Sequence, residues 1–234
     1  MLSALAVLAA LVSACALRPE MCDGTTACGA KSACVANRCQ ASGAVPAIRK
    51  SRRFVLTPID LAFIEQGSDR PPGVLPDPFT VGRHGVRNAA LLARWVAPML
   101  DDAEVIEAYV LLDRVDDAVP ESGRIGLHAE QVVGDWSGRT ATWVTGPALS
   151  DVNAPTLFLR EGAPRRVRID VAPIVAHWRE AGVGDRSIAI VADHWNATGA
   201  SFAAIPAASV TLPGEPELHP LDAALGPRLE LYVK

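Results

Sequence analysis

The chain has 234 residues, half of them hydrophobic and 21% charged, enough apolar material for one sizeable β domain or two small domains. A net charge of −4 and mostly scattered arginines argue against the concentrated basic face that nucleic-acid binding needs. The one dense basic cluster, Arg49-Lys50-Ser51-Arg52-Arg53, falls where a linker meets a domain and reads as a solvated junction.

The chain opens on "MLSALAVLAALVSACA", an apolar run shorter than the roughly 20 residues of an ordinary membrane-spanning helix. It ends in Val12-Ser13-Ala14-Cys15, small residues just before a cysteine. That pattern resembles a bacterial lipoprotein signal, although Met1-Leu2-Ser3 lacks the usual positive charge. The resemblance implies that residues 1–14 are removed and that Cys15 carries the lipid. Several acyl chains on one residue give a durable membrane anchor. With Ala16 rather than Asp after the cysteine, the same resemblance points to an exported protein at the outer membrane or cell surface.

Cys22, Cys28, Cys34 and Cys39 then follow in the spacing C-x5-C-x5-C-x4-C. In an oxidising compartment an even, dense set of cysteines reads as a disulfide framework, and four cysteines allow three pairings. The spacing lacks the paired C-x2-C knuckles of zinc sites. Residues 15–40 are therefore expected to be a small stapled unit, 41–53 a linker, and 54–234 the main domain.

From Phe54 the pattern is short apolar runs broken by Pro, Gly and Asp. Expected strands are "RFVLTPIDLAFI", "AALLARWV", "VIEAYVLLDRV", "GRIGLHAEQV", "TATWVT", "RRVRIDV", "RSIAIVAD" and "RLELYV". Ala108-Tyr109-Val110-Leu111-Leu112 is apolar throughout, as in a strand covered on both faces. Arg166-Val167-Arg168-Ile169-Asp170 alternates strictly, as in a half-exposed strand. Val171, Ile174, Val175 and Trp178 share one helical face, with Asp170 placed to cap the start, Pro173 in the first turn and Gly182 at the end. Thr140 and Thr142 alternate with Ala141 and Trp143, so "TATWVT" should turn Trp143 toward the core, with Trp136 also favoured as packing.

The order of these pieces resembles the DNRLRE domain, a secreted sandwich related to carbohydrate-binding module family ninety-six. The matching stretches are Asp60-Leu61-Ala62-Phe63-Ile64, "ALLARW", "VIEAYVLL", "DWSGRTATW", "VRIDVAPIVAHW", "SIAIVAD" and "GPRLELYV", from about Phe54 to Val233. The resemblance implies an all-β, jelly-roll-like antiparallel β-sandwich with one short helix. It also implies a bacterial surface setting and, in some relatives, an acidic polysaccharide ligand.

No catalytic constellation stands out. His84, His128, His177, His194 and His219 form no metal-binding spacing, "GASFA" is a poor nucleophile elbow, and no phosphate-binding loop or dinucleotide fingerprint occurs. No cofactor is expected beyond a structural Ca²⁺ at an acidic loop such as Asp113 to Asp117, where a solvated loop is the plainer reading. The best exposed aromatic is Trp195 in "ADHWNATGA", flanked by His194 and Asn196 as candidate ligand-binding groups. The expectation is a non-catalytic, lipid-anchored envelope protein whose sandwich binds polysaccharide. A structural or adhesive protein making protein contacts is the alternative, and a polysaccharide-degrading enzyme comes third.

Overall fold

The computed structural model describes residues 32–35, 38–41, 51–115, 125–159, 166–182, 185–193, 199–204 and 226–234. Two units are distinguished, Met1–Arg49 and Lys50–Lys234. In the first, β1 (Ser32–Val35) and β2 (Arg38–Ala41) pair as an antiparallel hairpin that sets Cys34 opposite Cys39. Cys39 is disulfide-bonded. The expected signal segment and Cys15, Cys22 and Cys28 lie outside the described residues.

The second unit contains, in chain order, β3 (Arg52–Leu56), β4 (Asp60–Glu65), β5 (Phe79–His84), β6 (Arg87–Trp95), β7 (Val105–Asp113), β8 (Ile125–Val133), β9 (Ala148–Asn153), β10 (Leu157–Leu159), β11 (Arg166–Asp170), the helix α1 (Ala172–Glu180), β12 (Arg186–Ala192), β13 (Ala200–Phe202) and β14 (Arg228–Val233). Eight strands form one sheet in the order β10-β8-β12-β6-β5-β13, with β4 added to β6 and β9 to β8. The other four form a sheet ordered β11-β7-β14-β3, and every pairing in both is antiparallel. The fold is an all-β sandwich with one described helix.

Strand alternation builds the core. Leu91, Ala93 and Trp95 of β6 and Ile188 and Ile190 of β12 meet Val110 and Leu112 of β7 and Leu229 and Leu231 of β14, all buried. Each such Leu or Ile contributes on the order of 1.5–3 kcal/mol over leaving it in water. The helix closes the same core with Ile174, Val175 and Trp178, the face expected from the i, i+3, i+4 spacing. The Asp170 carboxylate accepts the N–H of Ala172 at 3.0 Å, Pro173 sits in the first turn, and Gly182 follows the helix with φ of 61°. A left-handed residue at that position is where glycine is favoured.

Three local expectations are corrected. The stretch 52–65 is two strands rather than one, and the expected linker ends earlier because Arg52 and Arg53 already belong to β3. Arg168, read as half-exposed, is buried against Glu230. The stretch "TATWVT" is not a strand but a pair of turns, and Trp143 is 39% exposed. Its threonines explain the failure. Thr142 Oγ1 accepts the N–H of Thr145 at 3.1 Å, and the two hydroxyls lie 2.8 Å apart. Such local side-chain bonds give the backbone an alternative to a ladder.

Candidate functional site

Residues 134–147 form a strap over the outer face of the eight-stranded sheet. Strand parity sends Ala62 of β4, Leu92 of β6, Val132 of β8 and Ala189 of β12 outward, where water would normally meet them. Trp136 and Ala141 of the strap cover them and make a second buried cluster. The strap is fixed by polar anchors. Its Gly138 N–H donates to both carboxylate oxygens of Asp60, at 3.1 and 3.0 Å. Glycine is required there by close approach, since a Cβ would stand 2.2 Å from the Leu61 carbonyl oxygen.

Arg94 is the hub of the other anchor. Its guanidinium lies 4.7 Å from the centre of the Trp136 ring and donates to the Trp136 carbonyl at 2.7 Å. The same side chain pairs with Asp185 at 3.1 Å and reaches Ser187 Oγ at 3.3 Å. The indole N–H of Trp136 donates to that hydroxyl at 3.0 Å, and the hydroxyl donates to Asp185. Trp136 is thus a fully satisfied packing residue, as expected.

With Trp136 pinned inward, the strap's next turns carry Trp143 outward. Trp143 borders a shallow groove whose other wall is Phe63, Arg70 and the Pro71-Pro72 pair, with Glu65 and Thr142 on its floor and rim. The Arg70 guanidinium lies 5.3 Å from the centre of the Phe63 ring. Strap and wall are in contact: a Cβ on Gly73 would sit 3.4 Å from Arg139 Cα. The groove therefore sets an exposed indole beside a cation, a carboxylate and a hydroxyl. That combination can stack on a sugar face and pair with its hydroxyl or carboxylate groups.

The outer face of the four-stranded sheet is built differently. Glu230 lies between Arg53 at 2.7 Å and Arg168 at 2.9 Å, and Asp113 between Arg166 at 2.9 Å and Arg228 at 2.5 Å. Both of the chain's tyrosines stand here, Tyr109 donating to Glu107 at 2.7 Å and Tyr232 to Glu230 at 3.2 Å. Burial pushes the Glu230 carboxyl up, but the hydrogen bonds and charges of Arg168 and Arg53 outweigh it and hold the group below its ordinary value. Burial and then the Glu230 charge push the Tyr232 phenol up to about 12. These carboxylates are neutralised in place, so the cluster reads as a buried ionic clasp between strands.

The expected site residues His194, Trp195 and Asn196 lie outside the described residues, as do Asp116 and Asp117 of the acidic loop. Asp113, the loop's first carboxylate, is committed to two arginines, which removes it from any Ca²⁺ site. Among the described residues no group of three or more His, Cys, Asp or Glu is arranged to hold a metal ion. His128 lies between Glu130 at 2.9 Å and Asp193 at 3.3 Å, and His177 is on α1. Sequence reasoning missed the Trp143 groove because it assigned that tryptophan to a strand. The signal that could have found it was the Ser, Gly and Thr content of the stretch, which favours turns. A scan of family models gives no match to this chain, and a search of curated proteins gives no relative.

Proposed function

We propose that this is an exported, lipid-anchored envelope protein whose sandwich binds polysaccharide, as the lipoprotein-like signal and the likeness to the DNRLRE domain imply. The binding surface in this reading is the groove at Trp143. The observation that carries it is the exposed indole beside Arg70 and Thr142 on a strap held by Asp60, Arg94 and Ser187. A rigidly held aromatic platform loses little conformational freedom on binding. The groove is shallow and open, which suits a chain passing over it better than an enclosed small molecule.

The ligand class follows from charge. Arg70 and Arg139 flank the groove, and neither takes part in an ion pair among the described residues. Two guanidiniums against Glu65 favour acidic over neutral chains. The test is retention of the protein lacking residues 1–15 on columns of neutral and acidic polysaccharides. The wild-type protein should be retained by an acidic polysaccharide, and Trp143→Ala should weaken that retention about tenfold, the scale of one lost aromatic contact. Wild-type protein that passes through every column unretained would defeat the proposal.

A further inference from the structure

At one end of the sandwich, away from the strap, Trp95 at the end of β6 and Trp178 in the last turns of α1 wall a cavity of about 530 Å³. That volume falls within the roughly 300–1,000 Å³ of small-molecule sites. Val96, Ala97 and Pro98 add apolar lining, and Arg179, Arg186 and Asp101 supply the charge. The charges are unequal in their commitments. Arg186 donates through Nη1 to the Ala97 carbonyl and through Nη2 to Asp101, so the cavity's one carboxylate is already matched. Arg179 makes a single bond, from Nη1 to the Ala103 carbonyl at 3.3 Å, and forms no ion pair among the described residues.

The walls are short of acceptors in the same sense. The indole N–H groups of Trp95 and Trp178 and the Nε–H of Arg186 are buried and find no hydrogen-bond partner in the protein. Three unpaired donors in the walls and one uncommitted guanidinium at the rim leave this cavity with a surplus of positive potential. The surrounding surface is otherwise apolar. We infer that this cavity is a second binding site, separate from the Trp143 groove, for a small carboxylate-bearing molecule with an apolar body. The apolar body packs between the tryptophans, and the carboxylate meets Arg179.

Benzoate and benzyl alcohol, alike in size and different in charge, are the probes. In the full-length protein labelled with ¹⁵N, Trp95→Phe and Trp178→Phe assign the two indole resonances. Benzoate should shift both saturably, and benzyl alcohol should bind at least about tenfold more weakly. Arg179→Gln, on an exposed position, should leave the melting temperature unchanged and weaken benzoate about tenfold. Trp143→Ala should leave benzoate binding intact, which separates this site from the groove. Indole resonances that do not move with benzoate, equal binding of benzyl alcohol, or an Arg179→Gln protein with wild-type affinity would each overturn the inference.

Discussion

The two sheets of this sandwich finish their outer faces by opposite means. Outside the four-stranded sheet, β7, β11 and β14 carry charged residues and tyrosines, and the burial of Glu230 and Asp113 is matched by four arginines. Outside the eight-stranded sheet, the outward positions of β4, β6, β8 and β12 include alanine, leucine and valine, and a separate strap covers them. The difference teaches where adaptable chemistry resides. An ionic clasp consumes its own charges, so little is left over for a ligand. A strap needs only its inward residues for packing, and its outward turns are free to carry an exposed group such as Trp143.

The sharpest way to break this comparison is at Glu230, where the largest effect is expected. Glu230→Ala leaves Arg53 and Arg168 facing each other across a buried site with no counter-charge. Removing one partner of a buried pair costs about 3–5 kcal/mol. Urea unfolding should show that loss, and an unchanged midpoint would mean that the clasp is not structural. Replacing Glu230 together with both arginines by apolar residues should be far milder, since the penalty lies in unpaired charge rather than in the loss of attraction.

The strap offers the next test, because its two tryptophans should part company. Trp136→Ala removes the cover over Leu92 and Ala189, the ring under Arg94 and the donor to Ser187, with an expected cost of about 3 kcal/mol. Trp143→Ala should change stability by no more than about 0.5 kcal/mol while weakening polysaccharide retention. Thermal melts of the two variants side by side decide the matter. Similar losses in both would put Trp143 in the packing and take it out of the binding surface.

These contrasts also mark what could be read from the sequence. The core strands and α1 were legible because their periods are long and unbroken: "AALLARW" is apolar on both faces, since the core covers one and the strap the other, and Val171, Ile174, Val175 and Trp178 keep a helical spacing. The short strands β5, β9, β10 and β13 were missed, being too brief or too mixed for alternation to register. Arg168 looked solvent-facing because a polar-apolar alternation is the same whether the polar side meets water or meets Glu230. The groove was hidden for a related reason. Its walls come from residues 63–72 and 141–143, and no local pattern records that a turn lies against a distant strand. Nor does any spacing join Trp95 to Trp178.

Acidification should produce the smallest and most specific effect. Arg168 and Arg53 hold Glu230 below the ordinary carboxylate value of 4.5, so the folded state binds its proton less tightly than the unfolded chain. The stabilisation from ionised Glu230 is therefore complete above that ordinary value and is lost as the pH falls through the lower, folded one. Melting temperatures of the wild type should decline over that acidic window. Those of Glu230→Gln, already lower at neutral pH, should decline less steeply, since one titrating group has been removed. Other carboxylates contribute to the common slope, so the informative quantity is the difference between the two curves. Parallel curves would place the acid sensitivity elsewhere, with the Asp113 pair between Arg166 and Arg228 as the next position to titrate.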